Sequence, residues 1–212
     1  MAYSDFTNEM LAELGIIDII EDNTIFLSEA RKLNSFYNET IKINFTKNLD
    51  TEADREQRLI TPLIDEALGY LKSENRLDGI NFEVELHSPL NIDKEKSLTG
   101  FIDIMIALRG RLIKKPILAV VEAKRGLMIE HRSQLVAELY SINLQNKTKI
   151  AYGILTDGLQ WEFYQLSNSG ICKKTQIKPL VANDEKSWEI ISGTISELID
   201  KSYQEYKKSN KK

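Results

Sequence analysis

Several things are scarce in this 212-residue chain, and each scarcity removes a class of function. Its one cysteine, Cys172, can form no internal disulfide and no multi-cysteine zinc site. Two histidines, His87 and His131, are too few for a histidine-based metal site. No stretch approaches the roughly 18 consecutive apolar residues that a membrane-crossing helix needs. The opening MAYSDFTNEM has neither the basic nor the apolar region of a signal peptide. With a single cysteine, a reducing cytoplasm is the expected setting. Glycine loops of the P-loop and G-x-G-x-x-G kinds are missing, as is the nucleophile elbow of serine hydrolases. Positive charge is missing from residues 1–30, which carry seven acids and no Lys or Arg.

What remains is the composition of an ordinary globular chain, 42% hydrophobic and 28% charged, with a net charge of -4. The length suits one domain with appendages. Residues 1–49 read as an acidic N-terminal appendage: a helix from Phe6 to Leu14, a stop at Gly15, a short strand at Thr24–Leu27 and an amphipathic helix over Ser28–Ile41. Residues 50–180 read as the core. Thr51 caps a helix whose first turn holds Glu52, Asp54 and Glu56, and Pro62 is expected to kink it. Three strands follow, at 81–90, 100–110 and 116–124, the last two antiparallel across a short link. A helix over Glu130–Leu144 leads to two strands around an Asp157-Gly158 turn, where Trp161, Phe163 and Tyr164 are expected to be core. Residues 181–212 read as a closing helix and a basic tail. This order predicts an α/β fold, a mixed sheet with helices on its faces.

The chemistry concentrates in PILAVVEAKRG, residues 116–126, an apolar strand ending in two charges. Alternation puts Glu122 and Lys124 on one face and Ala123 on the other. On the preceding strand Asp103 is the one charge between Gly100 and Leu108, and antiparallel pairing places it roughly opposite Glu122. Two half-buried carboxylates repel each other and lose hydration, so they need a cation. Oxygen ligands favour Mg²⁺ or Mn²⁺ over zinc. An acid pair with a neighbouring lysine suits phosphodiester hydrolysis, the lysine orienting or deprotonating water or stabilising developing charge. Basic residues gather alongside: Arg109, Arg111, Lys114 and Lys115 before the strand, and Arg125, His131 and Arg132 after it.

Asp103 in GFIDIMI, followed by Glu122 and Lys124 in VVEAKRG, resembles the PD-(D/E)xK nuclease superfamily. TEADREQRLITPLIDEALGY and YGILTDGLQWEFYQL are similar to the N-terminal nuclease domain of type I restriction subunits. The resemblance covers about Thr51 to Leu166. It implies a restriction-endonuclease-like αβββαβ core. It also implies Asp103 and Glu122 as ligands of Mg²⁺ (or Mn²⁺) and Lys124 as the catalytic lysine. Glu52 would be the first-helix acid and a further ligand, with Glu56, one turn on, competing for that role. Gln134 resembles the glutamine of QxxxY-type members, although Tyr140 lies six residues on rather than four. The proline that usually precedes the first aspartate is absent, and Ile102 stands there.

The expected function is a metal-dependent nuclease acting on DNA, in restriction, defence or repair. Arg125, Arg132, Lys114 and Lys115 would meet backbone phosphates, which adds affinity without sequence choice. Specificity would come from loops, a homodimer partner or a separate subunit. The alternative is a catalytically silent nucleic-acid- or protein-binding module with the same fold.

Overall fold

The structure, a computed structural model, describes residues 2–22, 30–93, 98–109, 116–126, 128–177 and 184–210. A 3-10 turn at Tyr3–Asp5 leads into α1 (Asn8–Glu13) and β1 (Asp18–Glu21). Next come α2 (Ser35–Phe45), α3 (Glu52–Arg55), a π-helical turn at Glu56–Ile60 and α4 (Thr61–Ser73). Strands β2 (Phe82–Asp93), β3 (Leu98–Leu108) and β4 (Ile117–Ala123) follow. A 3-10 turn at Met128–His131 opens α5 (Arg132–Asn146). Then come β5 (Ile150–Thr156), β6 (Trp161–Ser167), β7 (Ile171–Ile177) and α6 (Glu185–Asn210). Among the described residues no helix is long and apolar enough to cross a membrane.

The strands form one seven-stranded mixed sheet in the order β1-β7-β6-β5-β4-β3-β2. β4 and β5 pair in parallel, joined through α5, and β1 pairs in parallel with β7. The other neighbours are antiparallel. All seven residues of β4 are buried, as a central strand covered on both faces requires. On one face Ala119, Val121 and Ala123 pack with Leu63, Ile64, Trp188 and Ile195 of α4 and α6. On the other, Val120 packs with Leu135 and Leu139 of α5 and with Tyr3 and Phe6. The protein is therefore an α/β fold, and α5 lies between the sheet and the N-terminal segment.

Local chemistry explains the elements that carry the site. The Thr51 hydroxyl caps α3 by accepting from the Asp54 N–H at 3.0 Å. The kink expected at Pro62 takes the form of the π-helical turn just before it. Pro62 has no N–H to give the Arg58 carbonyl, and the Asn44 amide donates to that oxygen instead at 2.8 Å. Gly158, in the left-handed region, makes the tight turn before β6. Arg55 of α3 reaches across to that turn and donates to the Asp157 carbonyl at 3.1 Å and carboxylate at 3.2 Å. At Gly153 a Cβ would sit 2.9 Å from Leu139 and 3.0 Å from Leu135, so glycine lets α5 close down on β5.

Three features differ from the sequence expectation. The helix expected over Ser28–Ile41 runs Ser35–Phe45, because the Asn34 side chain caps it by accepting from the Phe36 N–H at 2.9 Å. β7 is an added strand, hidden in the sequence because Lys174 occupies an inward position. β1 is another, and it spans only four residues. The strand expected at Thr24–Leu27 and the loop 110–115, with Lys114 and Lys115, lie outside the described residues.

Candidate active site

In the β3–β4 ladder Ile104 pairs with Val121, which brings Asp103 and Glu122 opposite each other one step further on. The Ala123 N–H donates to Asp103 Oδ2 at 2.9 Å, so β4 itself holds the aspartate. The Lys124 N–H donates to the Thr156 carbonyl at 2.9 Å and fixes the lysine backbone against β5. From there Lys124 Nζ lies 3.0 Å from Asp103 Oδ2 and 2.6 Å from Glu122 Oε1. The structure therefore brings Asp103, Glu122 and Lys124 together at one end of two central strands.

α5 adds the next two groups. Gln134 Nε2 donates to Glu122 Oε1 and, at 3.2 Å, to Glu138 Oε1. Glu138 is fully buried. Sequence reading did not single it out, although its i+4 spacing from Gln134 puts both on one helix face. Glu122 Oε2 and Glu138 Oε2 are buried and have no hydrogen-bond partner among the described residues. Burial, and then the charge of Asp103, raise Glu122 to about 8, against the pull of Lys124. Burial and the charge of Glu122 raise Glu138 well above the carboxylate range. Burial pulls Lys124 down, but Glu122 and Asp103 outweigh it and hold the ammonium well above the usual lysine range. Lys124 is thus favoured in its charged form between the two carboxylates.

A third side is formed by the helix before the strands. Glu52 Oε2 accepts from the Arg125 N–H at 3.2 Å, tying α3 to the chain just after β4. Glu56 is buried in the π-helical turn, 4.0 Å from His87 Nε2. Burial raises Glu56, His87 lowers it, and Asp103 and Glu52 raise it further, so these acids share one electrostatic neighbourhood. His131, at the start of α5, is pulled down by burial and by Lys124.

No family model matches this chain, and no curated protein matches it either.

Among the described residues no group of three or more His, Cys, Asp or Glu side chains forms a ready metal cage. Two carboxylates do converge, one with a buried oxygen lacking a partner, and no sulfur or imidazole is among the donors. That set fits a hard ion such as Mg²⁺, which is commonly bound by one or two carboxylates, waters and substrate phosphate.

The other expected residues separate. Arg125 is exposed beside Glu52. Arg132 is committed elsewhere: Nε donates to Glu162 Oε2 at 3.0 Å and Nη2 to Oε1 at 2.5 Å. Tyr140 lines a cleft of about 570 Å³ with Leu14, Gly15 and Lys147, apart from the acids. Trp161, Phe163 and Tyr164 are fully buried core.

Proposed function

We propose that the protein is a metal-dependent nuclease of the PD-(D/E)xK type that hydrolyses phosphodiester bonds in DNA. The observation carrying this reading is the meeting of Asp103, Glu122 and the Lys124 ammonium within 3.0 Å, with a buried Glu122 oxygen left unpartnered among the described residues. Evolution has little reason to hold an unsatisfied carboxylate in a packed core unless a cation or substrate completes it. The order of helix, three antiparallel strands, helix and parallel strand around those residues supports the restriction-endonuclease-like reading of the fold.

In this mechanism Asp103 and Glu122 would hold Mg²⁺ or Mn²⁺, with Glu52 assisting from α3. Such an ion, when bound, neutralises phosphate charge and acidifies a water. The chain's own residues do the remainder. Gln134 orients Glu122 by donating to Oε1. Lys124 keeps its proton, steers the attacking oxygen and offsets negative charge building on the phosphate. Arg125 contributes phosphate affinity at the rim, and Lys114 and Lys115 are proposed to do the same. A homodimer partner or separate specificity subunit would select the sequence, in a cytoplasmic role in restriction, defence or repair.

One observation favours a second reading. The Lys124 ammonium already bridges the two carboxylates, as an internal ion pair would in a silent binding module. Plasmid cleavage with Mg²⁺ or Mn²⁺ separates the two. Metal-dependent cutting by the wild type that disappears in Asp103→Ala supports the nuclease. Nucleic-acid binding with no cutting under any divalent ion supports the binding module.

A further inference from the structure

Glu138 has no task in the mechanism above, yet it is as fully buried as Glu122. It lies on α5 one turn beyond Gln134 and is fully buried. The Gln134 amide has two N–H bonds, and the two carboxylates flanking it take one each: Glu122 Oε1 and Glu138 Oε1. The second oxygen of each carboxylate is buried and unpartnered among the described residues. α5 cannot slide to relieve this, because Leu135 and Leu139 are wedged over Gly153. An apolar residue here would suit the packing better, since a buried carboxylate without a cation weakens a fold.

We infer that Glu138 is a positioning residue of the divalent-cation site, orienting Glu122 through Gln134. The inference rests on the metal-dependent reading above. Residues behind the direct ligands of metal sites commonly act this way, and their loss weakens metal binding roughly 10- to 100-fold. Gln134 is suited to the link: its amide cannot ionise, so it transmits orientation without competing for the cation.

The test is calorimetric titration of Mn²⁺ into the full chain, without nucleic acid, for wild type, Asp103→Ala and Glu138→Gln. Thermal unfolding of the metal-free proteins runs alongside. The expected result is binding by wild type that Asp103→Ala abolishes, and binding by Glu138→Gln weakened about 10- to 100-fold. Glu138→Gln should unfold no earlier than wild type. Equal Mn²⁺ affinity in Glu138→Gln and wild type would overturn the role of Glu138 and leave the nuclease reading intact. Absence of Asp103-dependent binding in wild type would overturn both. Should Glu138→Gln fail to fold, Glu138→Met removes the same carboxylate. A tenfold or greater loss of affinity is then expected, and unchanged affinity overturns the inference.

Discussion

Glu122 and Glu162 occupy equivalent places in the sheet and are treated in opposite ways. Glu122 on β4 pairs with Leu155 on β5, and Leu155 pairs with Glu162 on β6. The two glutamates therefore stand in one row, two strands or about 10 Å apart, and both are buried. Glu162 is saturated. Arg132 makes two hydrogen bonds to it, the Tyr164 hydroxyl donates at 2.5 Å, and Lys174 Nζ lies 3.4 Å away. Burial pushes Glu162 up, but Arg132, Tyr164 and Lys174 outweigh burial and hold it below the usual range. Among the described residues, Glu122 receives Lys124 and Gln134 on one oxygen and nothing on the other. Equal burial with unequal satisfaction separates a carboxylate that holds the structure from one held ready for something else.

Breaking the saturated end should have the largest effect. Arg132→Ala leaves Glu162 buried with much of its compensation gone. It should cost about 3 kcal/mol in denaturant unfolding, the low end for a broken buried pair because Arg132 keeps some exposure. Weaker nucleic-acid binding with unchanged stability would instead assign Arg132 to phosphates. At the unsaturated end, Lys124→Ala should cut the rate of plasmid cleavage by about 10²–10³-fold, the usual loss on removing a donor aimed at developing charge.

The pH dependence of stability sharpens the same contrast. The fold favours protonated Glu122, so its contribution is whole below the ordinary value of 4.5 and is lost as pH rises through about 8. Glu162, held low, contributes above its ordinary value and loses that contribution only as pH falls below it. Metal-free wild type should therefore lose thermal stability between about pH 5 and pH 9. Glu122→Gln should reduce the slope, leaving the share of Glu138 and Glu56, which are also raised, and Glu162→Gln should leave it in place. A wild-type profile that rises across this window would contradict the comparison. The smallest effect belongs to the rim: Arg125→Ala should reduce the salt dependence of DNA binding by about one phosphate contact and leave folding unchanged.

Much of the site was legible because charges are conspicuous where they do not belong. Asp103 interrupts an apolar strand, and Glu122 and Lys124 end another. A two-residue side-chain period with a short antiparallel connection then predicts that they meet, as they do. The Asp157-Gly158 turn and the apolar stripe of α6 were readable for the same local reason. Glu138 was not, because α5 is covered by the sheet on one side and by Tyr3 and Phe6 on the other. A helix buried on both sides shows no clear polar face, so an inward glutamate passes for a surface one. The fate of Arg132 was equally hidden, since its partner lies thirty residues on, in β6.

The chain by itself therefore determined which residues carry charge into the apolar strands and the order in which helices and strands appear, because period and turn chemistry act over a few neighbours. Only the tertiary structure decided which charges are answered. Compensation of a buried carboxylate depends on donors from distant segments arriving at hydrogen-bonding distance, and among the described residues folding supplied them to Glu162 while leaving one oxygen each of Glu122 and Glu138 without one.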